Sequence, residues 1–393
     1  MKTKTQLQPN IQNEFPPFNL LRLLQTVFDL KKGERIAILT DLEKPSDVVH
    51  FSFLKKSGLS IQKKAHDVIY KGIHDEIMPQ LSLGACDFFA YQITGGSNLE
   101  LPNHAIKSDG KEMRLDPDLY SSYDIIICVG SYSATAPLTA AAKRFGFRGA
   151  TMHGMNDIIL KSGLAVDYNQ VSKMTEKLRL GMTQADSVSI DFEVKGHESH
   201  LQVELGKQEA QKSHGICREK GEIANLPAGE VYFVPRDATG SFPIKFEEDG
   251  TLALMEVAQG KVKKITLLDG SQETVNKYQN KFKRDPSASI LGELGFGTQR
   301  LPYSGADIQD EKIFGTFHLA TGRNDHLQGN VTKDRFHDLR NATHDDILFS
   351  STKTPEIHVK QVRMKRNGKE EILIEDYQPS PYLLNLLKNA SFE

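Results

Sequence analysis

Apolar residues recur at helical intervals from Phe18 to Phe28, and Lys32-Gly33 closes that segment. An unbroken apolar run follows, Arg35-Ile36-Ala37-Ile38-Leu39-Thr40-Asp41, which predicts a buried strand. The stretch from Val48 to Leu54 predicts the helix behind it. The unit then repeats. Tyr123 to Gly130 reads as a second buried strand, Ser131 to Thr135 as a turn of small and hydroxyl residues, and Leu138 to Lys143 as a helix. Strands alternating with helices predict an α/β layer with a mostly parallel sheet. Near residue 185 the pattern changes. Val171 to Leu180 still has helical spacing, but Ser187 to Val194 alternates with period two, as a half-buried strand does. Short strand-like segments follow at Glu230 to Val234, Leu252 to Val257, Val262 to Leu268 and Ile357 to Met364, with a helix around Glu273 to Phe282. Asn367-Gly368 ahead of Glu371-Ile372-Leu373-Ile374 is a hairpin turn signal. The expected organisation is a loose polar tail over 1–17 containing Pro9, Pro16 and Pro17, an α/β domain over 18–185, and a β-rich α+β domain over 186–393.

Composition narrows the function classes. Lys and Arg (49) nearly balance Asp and Glu (51), so nothing in the charge asks for a nucleic-acid or membrane partner. Cys86, Cys128 and Cys217 have no paired spacing, which argues against a disulfide framework or a cysteine zinc site. The first residues, Met-Lys-Thr-Lys-Thr-Gln-Leu-Gln, carry no apolar stretch of the secretory kind, and no window reaches the roughly 18 apolar residues of a membrane span. A cytoplasmic setting is the expectation. A chain of 393 residues can bury a sizeable core unaided, so a metal ion here would be functional rather than structural.

Candidate chemistry concentrates in the C-terminal half. The turn after Gly130 stands where open α/β sheets bind ligands, but it lacks a glycine-rich phosphate fingerprint and reads as a plain strand-to-helix turn. Further on, Asn225-Leu226-Pro227-Ala228-Gly229-Glu230 sets a carboxylate at the head of an apolar strand. Ile290-Leu291-Gly292-Glu293-Leu294-Gly295-Phe296-Gly297-Thr298 puts another inside an apolar, glycine-rich run, where burial is costly unless a cation or donors meet it. Gly315 to Gly322 is strand-like with an isolated His318, and Thr343-His344-Asp345-Asp346 follows. In a strand His344 and Asp346 share a face, so both could reach one ion. Mixed imidazole and carboxylate ligation suits zinc, manganese, cobalt or iron. Each residue taken singly also has a plain reading, His318 as a structural histidine and Glu230 as an exposed carboxylate after a turn.

Taken together, Asn225 to Val231, Leu291 to Thr298, Asp310-Glu311-Lys312 leading into Gly315 to Ala320, His344-Asp345-Asp346 and Ile372 to Tyr377 resemble the thermophilic aminopeptidase T family of metallopeptidases in order and separation. The resemblance covers about residues 180–380. It implies a dimeric cytoplasmic aminopeptidase that acts on peptides through two divalent metal ions (zinc, cobalt or manganese) and a metal-activated water. The ions would be held by Glu230, Glu293, His318, His344 and Asp346, with Glu293 between them. The sequence departs from the family pattern in several places. Arg323-Asn324-Asp325-His326 stands where many members have a tyrosine, and Ile313 where some have a glutamate, although Glu311 is near. Gln328-Gly329 replaces a Gly-Gly pair, the segment Asn330 to Arg340 is unlike the family's, and no proton shuttle is identified. Ring-cleaving dihydroxypyridine dioxygenases are similar to this family. The alternative they offer is an iron(II) centre with the facial triad His318, His344 and Asp346. Such a centre does not need Glu230 or Glu293, and the presence of both favours the peptidase expectation. A member that only binds peptides or partners is the remaining alternative.

Overall fold

The computed structural model describes residues 15–388, so of the tail expected over 1–17 only Phe15 to Pro17 are described, as irregular chain. The fold is mixed α/β, as expected. A seven-stranded sheet has Arg35–Leu42 near its middle, with Ala85–Gln92 parallel on one side and Ile125–Cys128 parallel on the other. Arg148–Thr151 extends it in parallel, and Ala105–Lys107 and Glu112–Met113 close the opposite edge antiparallel. Ile36, Ile38, Ile125 and Ile127 are fully buried, as strands covered on both faces require.

The helix expected over Val48 to Leu54 is not continuous. The segment Pro45–Lys55 makes tight turns broken at Val49, His50 and Phe51, the last two with positive φ. The rings of Phe51 and Phe53 pack on Phe88 at 5.8 and 6.0 Å, which a regular helix would not permit for both together. The helical crossover comes later, from Ser60 to Leu81. The chain also returns to this sheet after residue 185. Ile223–Asn225 pairs in parallel with Arg148–Thr151 at its outer edge, so the two halves share a sheet across the expected boundary.

The second half is built from an eight-stranded and a five-stranded sheet. The eight-stranded sheet is antiparallel and includes the hairpin Ile357–Arg366 and Lys369–Glu375, whose turn has Asn367 and Gly368 both at positive φ. Phe192 and Phe242 from this sheet meet Phe317 and Phe349 from the smaller one, with ring centroids 5.1 to 6.4 Å apart. All four are fully buried, and each contributes about 1.5–3 kcal/mol by leaving water. This core fixes one face of the five-stranded sheet and leaves the other free for polar groups. Among the described residues no helix is long and apolar enough to cross a membrane.

Candidate metal centre

The five-stranded sheet carries every candidate ligand. Its strands run in the order His344–Phe349, Phe317–Gly322, Leu291–Gly297, Glu230–Phe233, Gln211–Ser213. Glu230 lies opposite Gly297, Glu293 opposite Ala320, Ala320 opposite Asp346, and His318 opposite Gly295. The side-chain period of two therefore puts Glu230, Glu293, His318, His344 and Asp346 on one face. The alternate residues Val231, Phe233, Leu294, Phe296, Phe317, Leu319 and Phe349 enter the core on the other. Gly295, Gly297, Ala320 and Gly322 occupy positions between them on the same face, where bulk would fill the space, and Tyr232 and Leu348 also lie on it. A β-carbon on Gly295 would stand 2.2 Å from Cε1 of His318.

The five side chains converge. His344 Nε2 is 2.9 Å from Glu293 Oε2 and 3.2 Å from Asp346 Oδ1. His318 Nε2 is 3.5 Å from Glu293 Oε1 and 3.9 Å from Glu230 Oε2. Ligand atoms lie within 4.8 Å of one another in three overlapping groups: Glu230, Glu293 and His318; Glu293, His344 and Asp346; and Glu311, His318 and Asp346. The two histidines are thus joined through Asp346 and Glu293. Asp346 keeps 30% of its side chain accessible, because it faces a cavity.

The donor set fits a divalent cation. His344 donates Nδ1–H to the backbone carbonyl of Arg323 at 2.6 Å, which aims Nε2 at the carboxylates and leaves Nε2 as the nitrogen a metal ion would take. Among the described residues, the one permanent cation paired with the carboxylates Glu230, Glu293, Glu311 and Asp346 is the buried ammonium of Lys312, 2.7 Å from Glu230 Oε2 and 2.6 Å from Glu311 Oε1. Burial disfavours charge on His344, but Asp346 and Glu293 outweigh it and hold that imidazole well above its usual range; Glu293 and the neighbouring carboxylates do the same to His318. Burial likewise opposes ionisation of Glu293, yet its contacts with His318 and His344 keep it well below the carboxylate range. An excess of buried negative charge drawing in cations is what a metal would relieve.

Both halves of the chain close over the cluster. A cavity of about 350 Å³ is lined by all five candidate ligands, by Asn98, Ser133, Thr135 and His153 from the first half, and by Tyr232 and His326. A second space of about 720 Å³, with Phe246, Tyr278 and Lys353 on its walls, meets it at Ser97, His153, His344 and Asp346.

This fold has a solved counterpart. The structure of 2,5-dihydroxypyridine dioxygenase from Pseudomonas putida matches 93% of this chain and 99% of its own, with a TM-score of 0.59 and 13% sequence identity. At that identity the likeness is one of fold. No protein-family model matches the sequence, and no curated protein does.

Several residues at the centre were not singled out as site residues from the sequence. Lys312 stood in Asp310-Glu311-Lys312, quoted only as part of the family resemblance, and His326 in a segment noted only for lacking a tyrosine. The His326 ring meets His344 edge-on at 4.9 Å, and burial holds it far below the usual histidine range, at about 3. His153 follows the strand Arg148–Thr151 and is likewise pushed down by burial, to about 4. Nothing in local spacing marks either one; only the packing of the two halves brings them to the cavity. The turn after Gly130 lies where the strand order reverses, but Asp41 fills it. Its carboxylate accepts from Ser131 N–H at 2.9 Å and from Gln62 at 2.7 Å, so the amide that would meet a phosphate is already occupied by an anion.

Proposed function

We propose that this protein is a metal-dependent oxygenase that opens a small dihydroxylated aromatic ring, with iron(II) held by His318, His344 and Asp346. The observation that carries the reading is a fold shared over nearly the full length of a dihydroxypyridine dioxygenase, combined with two histidines and a carboxylate lining one cavity. When bound, iron(II) would bring the ring and ground-state oxygen together and relay electrons from the ring, which is the net reductant, to the oxygen. The chain's own groups do the rest. Arg323 O holds the His344 ring in place. Asn98, Ser133 and Thr135 offer polar contacts along the wall of a cavity of about 350 Å³. His153 and His326, kept neutral by burial, line the cavity with an unpartnered Nδ1 each and offer hydrogen-bond contacts to a ring hydroxyl.

The aminopeptidase reading keeps one specific support, the approach of Glu230 and Glu293 to His318, which a three-ligand iron site does not require. The test separates the two. Protein purified without chelator is assayed for metal and for oxygen uptake with a dihydroxypyridine, and separately for hydrolysis of leucine amide with a free or an acetylated amine. Iron-dependent oxygen uptake without amide hydrolysis is the expected result. Hydrolysis of the free amine alone, dependent on zinc, cobalt or manganese, would establish the peptidase instead.

A further inference from the structure

We infer that Lys312 takes the place of a second metal ion, so that this centre holds one divalent cation where a two-metal site would hold two. The inference rests on the reading that the cluster binds metal, but on no particular reaction. Its observations concern the side of the cluster around Glu230. That carboxylate belongs with Glu293 and His318 to a set of ligand atoms close enough to share an ion. A fixed cation is already there. The Lys312 side chain is 1% exposed, and its ammonium bridges Glu230 and Glu311. Toward Glu311 it donates a hydrogen bond, whereas toward Glu230 it makes a close charge contact without hydrogen-bond alignment.

Lys312 has little freedom to leave. Its N–H donates to Gln309 O at 2.9 Å and its carbonyl accepts from Gln299 N–H at 2.8 Å, so the backbone is pinned on both sides. It passes so close to Gly297 that a β-carbon there would stand 2.7 Å from the Lys312 carbonyl carbon. A divalent ion bound through Glu230 would either sit beside this ammonium, with strong repulsion at low dielectric, or displace it and leave a buried lysine without its partner. Neither cost arises at the other end of the cluster. Glu293, His344 and Asp346 close on one another there, with His318 Nε2 3.5 Å from Glu293 Oε1, and Lys312 makes no ion pair with these carboxylates among the described residues. The single ion belongs at that end. Glu293 then serves one cation rather than bridging two, and Glu230 is the counter-ion of Lys312.

The test is metal stoichiometry. Chelator-stripped wild type, Lys312→Met and Glu230→Gln are titrated with Mn²⁺ or Zn²⁺ by calorimetry, and metal per chain is checked by elemental analysis. Wild type should take one ion. Lys312→Met, which keeps the bulk and removes the charge, should take a second. Glu230→Gln should still take one, with its affinity within about tenfold of wild type. The last result carries the test if Lys312→Met fails to fold, because a site with Glu230 as a ligand would lose an ion. Two ions in wild type, one ion in well-folded Lys312→Met, or loss of an ion in Glu230→Gln would overturn the inference. One ion in wild type without oxygen uptake would overturn the proposed function and leave this inference standing; no ion at all would overturn both.

Discussion

His344 is held at both ends of its ring, by the Arg323 carbonyl at Nδ1 and by Glu293 and Asp346 at Nε2. Removing either His344 or Asp346 should therefore cost metal rather than fold. His344→Ala and Asp346→Ala are expected to bind the ion more weakly by at least about 100-fold while keeping wild-type circular dichroism. Unchanged metal content in both variants would remove these residues from the site. Glu293 contacts both histidines, whereas Glu230 is matched to Lys312, so Glu293→Gln should weaken the ion far more than Glu230→Gln does. At this scale the sequence was informative where a polar residue interrupts an apolar run, as Glu293 and His318 do. It did not mark Lys312 or His153 as site residues, because a lysine in a charged run and a histidine after a strand have ordinary uses on a protein surface.

The strand Leu291–Gly297 shows how one element builds both core and site. Its odd-numbered residues Glu293, Gly295 and Gly297 face the cavity, and Leu294 and Phe296 face the phenylalanine core. The His318 ring lies over Gly295, so Gly295→Ala should push that ring aside. A fall in metal affinity of about 10–100-fold with a small change in melting temperature is expected. A fall in stability with metal affinity intact would mean that His318 is not a ligand. Period-two alternation made most strands of this half legible, along with the hairpin at Asn367-Gly368, because one face of each sheet is buried. The segment Val48 to Leu54 misled because its apolar residues serve a broken turn that drives Phe51 and Phe53 onto Phe88. Hydrophobicity records that they are buried but not the backbone that buries them.

Across the whole molecule, the centre depends on how the two halves meet, and periodicity carries no signal for that. Arg323, 1% exposed, ties them together. Its guanidinium donates to Asn98 O at 3.1 Å and Glu100 Oε1 at 2.8 Å in the first half and to Asp325 Oδ1 at 2.6 Å in the second, while its carbonyl holds His344. Arg323→Met should lower the melting temperature and weaken metal binding together, by about 10–100-fold for the metal. Stability should also depend on pH. Burial holds His214, which shares a hydrogen bond of 2.9 Å with Ser172, down to about 4. An unfolded histidine takes a proton near pH 6.5, so the unfolded state binds more protons below that point. The folded state should be at full stability above about pH 6.5 and lose it as pH falls toward 4, with His214→Gln showing a shallower loss in thermal melts. The reading of function turns on oxygen. The most direct measurement places iron(II)-loaded protein in an oxygen electrode with 2,5-dihydroxypyridine and related dihydroxylated rings. Uptake of one oxygen molecule per ring consumed, abolished in His344→Ala, is the expected result; no uptake with any ring, alongside release of leucine from leucine amide by the same protein, would contradict it.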